Sequence, residues 1–192
     1  IQPGEAIAIC AASSVPYATV FMGALRAGVV VAPLAPGSTA QSLLQMIDNA
    51  QARLLFLDAA TAETMGPASP GEPPRIALDA SDAGRPLADW LAPAGHKPAP
   101  AEVDGKAPFN IIYSSGTTGE PKGIVQSHGM RWAHVQRGVG YNYGPSTVTL
   151  LSTPLYSNTT LVIFFPTLAF GGTLMLMPKF NAAQYLQLAQ TH

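Results

Sequence analysis

Short apolar runs alternate with amphipathic segments along the first eighty residues. Four of these runs are apolar or nearly so over four or five residues, which predicts buried strands. They cover residues 6–10, 29–32, 53–57 and 75–78. Strands that are apolar throughout and alternate with helices are typical of a parallel sheet covered on both faces. The predicted fold class is therefore α/β, with a mostly parallel sheet flanked by helices.

Polar residues mark where the first two helices begin and end. Ser13 and Ser14 can cap a helix that has Pro16 in its first turn and runs to about Arg26. Gly28 then suits a left-handed C-terminal cap. A second amphipathic helix is predicted from a cap at Ser38 or Thr39 to about Ala50.

A segment of different composition interrupts this alternation. Residues 67–108 are rich in Pro, Ala and Gly, which predicts a surface excursion with one short strand. Regular elements then resume. Strands are predicted at 109–113, 123–127, 148–152 and 173–177, with helices at 128–137, 158–169 and from 182 to about 190. The turn-like residues 138–145 suggest two parts, an α/β subdomain over 1–143 and the start of a second one over 144–192.

Composition excludes several classes of protein. Hydrophobic residues make up 47% of the chain and charged residues 11%, with a formal net charge of −1, so disorder and electrostatic binding of nucleic acid are not expected. The longest apolar run, 161–170, is too short to span a bilayer. The four histidines lack paired ligand spacing, so no metal site is predicted within the chain. The single Cys10 and the absence of a visible signal peptide favour a cytoplasmic location.

One segment carries most of the chemical information. Residues 113–123 read Tyr-Ser-Ser-Gly-Thr-Thr-Gly-Glu-Pro-Lys-Gly. The hydroxyl residues Ser114, Ser115, Thr117 and Thr118 surround Gly116, and Gly119 follows, so amide groups can converge on an anion. Lys122 adds a positive charge with three donors. Because a predicted strand leads into this segment, we expect it at the carboxyl end of the sheet, where ligands of open α/β folds bind.

The segment does not follow the Walker pattern, which requires Gly-Lys-[Ser/Thr] where this chain has Pro121, Lys122 and Gly123. By composition alone, a flexible Gly/Ser/Thr linker stays open as an alternative. The full string, however, resembles the phosphate-binding signature of the adenylate-forming (AMP-dependent synthetase and ligase) family. That family includes acyl-CoA synthetases, nonribosomal peptide adenylation domains and luciferases.

Further segments resemble the same family in order and spacing. They are Gly23–Gly28 with Pro33-Leu34, Ser127-His128, Thr153-Pro154-Leu155-Tyr156, Gly171-Gly172-Thr173 and Met177-Pro178-Lys179-Phe180. The resemblance implies part of the large N-terminal domain of an acyl-CoA synthetase. It also implies a substrate carboxylate that attacks MgATP, followed by transfer of the acyl group to a thiol, usually coenzyme A.

By the same resemblance, residues Ser114 to Thr118 bind the ATP phosphates together with Gly119 and Lys122. Lys179 is then a candidate contact for the coenzyme A phosphates, with an ordinary surface lysine as the alternative. Tyr156, Ser157 and Asn158 are candidates for the acyl pocket, although Tyr156 could be a core residue and Asn158 a helix cap.

Ser157 departs from the family pattern, because His is usual here in acyl-CoA synthetases and Asp in amino-acid adenylation domains. A neutral serine offers no counter-ion to an α-ammonium group, so an amino-acid substrate is disfavoured. The family's Mg²⁺-binding Glu, hinge and C-terminal Lys are not found in the chain. We therefore expect it to be part of a longer enzyme and inactive alone. Two alternatives stay open, a domain that loads a carrier protein and a nucleotide-binding module without turnover.

Overall fold

The computed structural model describes residues 1–97, 99, 101–114 and 121–192. Its centre is a seven-stranded sheet in the order β5-β4-β3-β1-β2-β6-β7. Neighbouring strands are parallel except for the final pair, β6 and β7, which is antiparallel. The strands are β1 (Ala6–Cys10), β2 (Val30–Pro33), β3 (Ala52–Leu57), β4 (Arg75–Ala77), β5 (Arg85–Pro86), β6 (Pro108–Ser114) and β7 (Lys122–Ser127).

Helices connect and cover these strands, and a second, two-stranded parallel sheet follows them in the chain. The helices are α1 (Val15–Arg26), α2 (Ala40–Asn49), α3 (Ala59–Met65), α4 (Leu87–Trp90), α5 (His128–Gln136), α6 (Asn158–Ala169) and α7 (Ala182–Thr191). A 3₁₀ turn at Arg137–Val139 follows α5, and the second sheet pairs β8 (Val148–Leu151) with β9 (Thr173–Leu176). None of the helices in the described part of the chain is both long and apolar enough to cross a bilayer.

Side-chain caps explain where the main helices begin. Ser14, Thr39, Asp58 and Ser127 each have an extended backbone and accept a hydrogen bond from an amide in the first turn of the following helix. Such a bond satisfies one of the amides that have no partner within the helix. At the other end of α1, Gly28 takes a left-handed φ of +71°, which a residue without Cβ adopts at low cost.

The two faces of the large sheet bury separate hydrophobic cores. On one face, Ile7, Ile9 and Val31 pack with residues of α1, α5 and α6. On the other face, Ala8, Cys10 and Ala32 pack with residues of α2 and α3. Successive residues of β1 alternate between these cores, so the continuous apolar run of this strand is explained by burial on both sides.

The predicted fold class is confirmed, and the predicted strands and major helices lie within one or two residues of those in the structure. The one short strand predicted in the Pro/Ala/Gly-rich excursion corresponds to β4, whereas the two-residue strand β5 and the single-turn helix α4 were not predicted. Helix α3 was not predicted, because its sequence AATAETM has no amphipathic period. The division at residues 143/144 stays a prediction, although the second sheet does begin after it.

Gly172, which precedes β9, leaves no space for a side chain. A Cβ there would lie 2.8 Å from the Thr147 carbonyl oxygen and 3.0 Å from that of Thr167. We expect Gly172→Ala to destabilise the protein by about 1–3 kcal/mol, because backbone must shift to admit the methyl group. Gly144→Ala is the matched control, since its Cβ would meet nothing within 4 Å. Urea unfolding of both variants checks this, and equal midpoints would contradict it.

Candidate active site

The predicted phosphate-binding segment joins the two antiparallel strands at the edge of the large sheet. The register pairs Tyr113 with Gly123 and Ser114 with Lys122. Because β6 is parallel to β2, Ser114 ends its strand at the carboxyl edge of the sheet, as predicted. Of the predicted phosphate-binding residues, Ser115, Gly116, Thr117, Thr118 and Gly119 lie outside the described residues. Ser114 and Lys122, which flank them, are both exposed.

Tyr113 fixes this hairpin to α2. Its hydroxyl lies 2.9 Å from the Met46 carbonyl oxygen and 2.8 Å from Asn49 Oδ1. Burial raises the pKa of Tyr113 to about 12, so the phenol is protonated at neutral pH. Gly123 lets the two strands fit beneath this ring, since a Cβ there would lie 3.0 Å from Ile111 Cγ2 and 3.2 Å from the Tyr113 ring.

One face of the hairpin connects the phosphate-binding segment to α6. Lys122 and Gln126 are four residues apart on β7, so their side chains lie on the same face of the sheet. Four residues of strand span about 13 Å. At the far end of this span, Gln126 Nε2 donates to Asn158 Oδ1 at 3.3 Å. The structure therefore places one acyl-pocket candidate and the phosphate-segment lysine on a common surface.

The segment before α6 is tied to the carboxyl edge of the sheet. Ser13, which follows β1, is buried, and its Oγ accepts a hydrogen bond from the Leu155 amide at 3.0 Å. The hydroxyls of Thr153 and Thr160 lie 2.6 Å apart. These contacts fix the backbone on both sides of Tyr156, which is half-buried.

Ser157 is the N-cap residue of α6, but its side chain makes no capping hydrogen bond. The first amides of the helix therefore lack the usual side-chain partner. Asn158 is exposed, and its only side-chain hydrogen bond among the described residues is the one it accepts from Gln126. The structure thus brings Tyr156, Ser157 and Asn158 together at the start of one helix.

A cavity of about 550 Å³ runs beside α6. It is lined by Val162, Ile163 and Pro166 of that helix, together with His134, Tyr141, Tyr143 and Thr149 from the neighbouring elements. Asn158 lies one helical turn before Val162, so it is on the same side of α6 as part of this lining. Burial, with Arg131 and Arg137 nearby, lowers the pKa of His134, so its imidazole is neutral at pH 7. The volume is in the range of small-molecule sites.

A buried arginine supports Gln126, and the sequence analysis did not find it. Arg131 is 2% exposed. Its Nε donates to Asn110 Oδ1 at 3.2 Å and its Nη2 donates to Gln126 Oε1. We call Arg131, Asn110, Gln126 and Asn158 the Arg131 network. No local sequence pattern predicts this network, because a lone arginine in an amphipathic helix is usually solvent-exposed.

The other charged candidate is Lys179. It is exposed in the turn after β9. Within the part of the chain that the structure describes, it makes no hydrogen bond or ion pair with another predicted site residue. Cys10 is fully buried, and burial raises the pKa of its thiol to about 12, so the interpretation as a packed hydrophobe fits.

The whole chain, residues 1–192, matches the family model described as AMP-binding enzyme. The chain belongs to the AMP-binding enzyme family. It is 31% identical over 179 residues to the AMB antimetabolite synthetase AmbB of Pseudomonas aeruginosa, covering 92% of this chain and 13% of AmbB. It is 26% identical to the long-chain-fatty-acid–CoA ligase FadD13 of Mycobacterium tuberculosis, covering 98% of this chain and 38% of FadD13.

A solved structure shows the same fold in this family. The crystal structure of ATP-bound MatB from Rhodopseudomonas palustris superposes with a TM-score of 0.81 at 25% identity, covering 99% of this chain and 38% of MatB. The chain thus spans well under half the length of each of these proteins. Family membership identifies an adenylate-forming ligase fold. Relatives that include both an antimetabolite synthetase and a CoA ligase leave the substrate of this member open.

Proposed function

We propose that this chain supplies the ATP-phosphate site and part of the acyl site of a carboxylate–CoA ligase. The observation that most strongly supports this proposal is the β6–β7 hairpin, in which Ser114 pairs with Lys122 at the carboxyl edge of the sheet. The sequence between them is the adenylate-forming signature. In the first step a carboxylate oxygen bonds to the α-phosphorus of ATP and the bond to pyrophosphate breaks. In the second, a thiol attacks the acyl carbon, loses its proton and releases AMP.

Phosphate binding is assigned to Ser114, Ser115, Gly116, Thr117, Thr118, Gly119 and Lys122. The lysine lies at the end of a strand that is hydrogen-bonded to β6, whose Tyr113 is fixed to α2. A cation on such a rigid support can stabilise the charge of departing pyrophosphate without first being reoriented. The resemblance to ATP-bound MatB supports ATP as the nucleotide.

The acyl group is assigned to the start of α6 and the adjacent cavity. Asn158 contacts Gln126, which lies four strand residues from Lys122 on the same face of the hairpin. This separation of about 13 Å leaves room for the reacting carboxylate and α-phosphate. Val162, Ile163 and Pro166 offer apolar contacts to an acyl chain beyond this point. Lys179 is the proposed contact for the anionic groups of coenzyme A, because it is a cation on an exposed turn.

Mg²⁺ accompanies ATP in the proposed reaction, and it supplies charge neutralisation on the phosphates when bound. Within the described ranges, however, no three His, Cys, Asp or Glu side chains lie close enough to hold a metal ion. These residues do not fit a protein-held ion, so no Mg²⁺ ligand is assigned to them and no step is derived through the metal.

A second candidate function is the loading of a carrier protein with an amino or aryl acid. The 27% identity over 197 residues to the nonribosomal peptide synthetase gloA of Glarea lozoyensis favours it. Ser157 opposes an α-amino acid, because a neutral serine offers no counter-ion to an ammonium group. Burying an unpaired ammonium costs several kcal/mol.

The full-length protein should catalyse acid-dependent exchange of pyrophosphate into ATP, followed by thioester formation with coenzyme A. A panel of fatty, aryl and α-amino acids distinguishes the candidates. Exchange with fatty or aryl acids and transfer to coenzyme A support the ligase. Exchange only with amino acids, and transfer only to a phosphopantetheinyl carrier protein, would support the alternative. If no acid supports exchange, both enzyme functions are refuted, and the result favours a nucleotide-binding module without turnover.

A further inference from the structure

The Arg131 network orients every amide that it contains. A guanidinium group has five N–H donors and no acceptor. Arg131 is enclosed by the rings of Phe109 and Phe165, each with its centroid 5.9 Å from the Arg131 Cζ. Burial lowers the pKa of Arg131 to about 10, which leaves it protonated at neutral pH. No carboxylate pairs with it in the part of the chain that the structure describes.

Arg131 therefore determines which end of the Gln126 amide faces it. Only an oxygen can accept from the guanidinium, so Oε1 of Gln126 points toward Arg131. Gln126 is buried, with 7% of its surface exposed, and cannot exchange this contact for water. Its Nε2 must then point away from the arginine, toward α6.

The orientation of the Gln126 amide in turn determines that of the Asn158 amide. Gln126 Nε2 is a donor, so it is the Oδ1 of Asn158 that accepts from it, at 3.3 Å. The carbonyl end of the Asn158 amide is thereby engaged, and its Nδ2 is the end left to meet a ligand. Asn158 is exposed at the first position of α6, next to Ser157. The buried cation Arg131 thus acts through one intermediate side chain, Gln126, to decide which end of the Asn158 amide is exposed.

We propose that the Arg131 network makes Asn158 a specificity-determining hydrogen-bond donor in the acyl site. Resting on the proposed function, this names the substrate class: carboxylic acids with a carbonyl or ether oxygen in the acyl group near the carboxyl end. Such an oxygen accepts from Asn158 Nδ2. An ammonium group at the same place would face another donor and is rejected. Arg131 and Gln126 are positioning residues, since they act only through Asn158.

Gln126→Glu tests the proposal because it should reverse which end of the Asn158 amide, donor or acceptor, faces the ligand. A carboxylate only accepts, so the introduced side chain can keep the contact with Arg131 while its second oxygen requires Asn158 to turn its Nδ2 inward. Oδ1 of Asn158 then faces the ligand. The assay compares kcat/KM for pyrophosphate release with acids of equal length, in which a methylene at successive positions is replaced by a carbonyl, an ether oxygen or a CH–NH₃⁺ group.

The wild type should prefer the best oxygen-bearing acid over its plain alkyl counterpart by about 3- to 10-fold, the value of one neutral hydrogen bond. In Gln126→Glu this ratio should fall below 1. The kcat/KM of the ammonium-bearing acid, relative to that of the alkyl acid, should rise by a similar factor. Asn158→Leu should bring all the ratios close to 1, because the donor and the acceptor of this side chain are both removed. Gln136→Glu, the same change at an exposed position of α5, is the control and should behave as the wild type.

Preference ratios in Gln126→Glu that stay within twofold of the wild type, with pyrophosphate release retained, would overturn the Arg131 network as the specificity determinant. So would equal preference in the wild type for alkyl and oxygen-bearing acids. Failure of every acid with the wild type is a different result and refutes the proposed function itself. Thermal melting of each variant separates a lost fold from a changed preference, since the carboxylate introduced by Gln126→Glu gains an ion pair with Arg131 and this variant should fold.

Discussion

Replacing Lys122 with alanine is expected to slow adenylate formation by about 10²–10³-fold, the usual cost of losing one preorganised donor in an active site. Lys122 begins β7 and is exposed beside the predicted phosphate-binding residues. Its positive charge neutralises part of the negative charge that builds on pyrophosphate as this group leaves. Thioester formation from supplied acyl-adenylate should be unchanged, because pyrophosphate has already left by then. Pyrophosphate exchange and single-turnover thioester formation measure the two half-reactions separately.

Lys179→Ala is the matched control, because it removes the same charge from an exposed position after β9. It should leave adenylate formation unchanged and raise the KM for coenzyme A. Thr118→Ala removes a hydroxyl within the segment and should slow adenylation no more than Lys122→Ala does. Equal damage to both half-reactions by Lys122→Ala would indicate misfolding or another role. An undamaged adenylation step would refute the phosphate-site assignment and restore the linker interpretation.

The second large effect concerns stability. Arg131→Ala should lower the free energy of unfolding by about 3–5 kcal/mol, since it opens a cavity and leaves two buried amide oxygens without donors. Those oxygens belong to Asn110 and Gln126, which are 0% and 7% exposed. Urea unfolding followed by circular dichroism measures the loss.

Two comparisons make this stability prediction specific. Arg137→Ala, at an exposed position of the 3₁₀ turn after α5, should change the free energy of unfolding by no more than about 0.5 kcal/mol. Arg131→Met combined with Gln126→Leu should be more stable than Arg131→Met alone, because replacing both partners removes an unsatisfied group. A loss below about 1 kcal/mol in Arg131→Ala would show that the buried guanidinium contributes little.

Much of the fold was predictable because local signals agree with tertiary structure. The first helix has a serine cap at Ser14 and a left-handed glycine at Gly28, and the structure uses both. The apolar run of β1 is buried on both faces, as its composition indicates. By contrast, β5 has only two residues, and α3 depends on the Asp58 cap rather than on an apolar period. Such short elements carry too few residues to show a pattern.

The candidate site likewise has a part that the sequence predicts and a part that it does not. The signature around Lys122 is a continuous string, so sequence alone located it. The contacts of Ser13 with Leu155 and of Arg131 with Asn110 join residues far apart in the chain. The sequence around Ser13 indicates only a helix cap, and the sequence around Arg131 gives no sign of a buried contact. Polar contacts of this kind depend on which strands and helices become neighbours, and a local pattern does not contain that information.

The hydrogen bond between Ser13 and Leu155 also has a consequence for how the molecule assembles. It closes a loop of 142 residues, while the β2–β6 pairing joins Val31 to Asn110. Contacts at such separations incur the entropy of loop closure before they contribute stability, so they favour slow folding. The β6–β7 hairpin involves near neighbours in sequence and can form early. The half of the site around Lys122 therefore rests on contacts that close a short loop, whereas the half around Tyr156 rests on contacts that close a long loop and incur the larger entropy of closure.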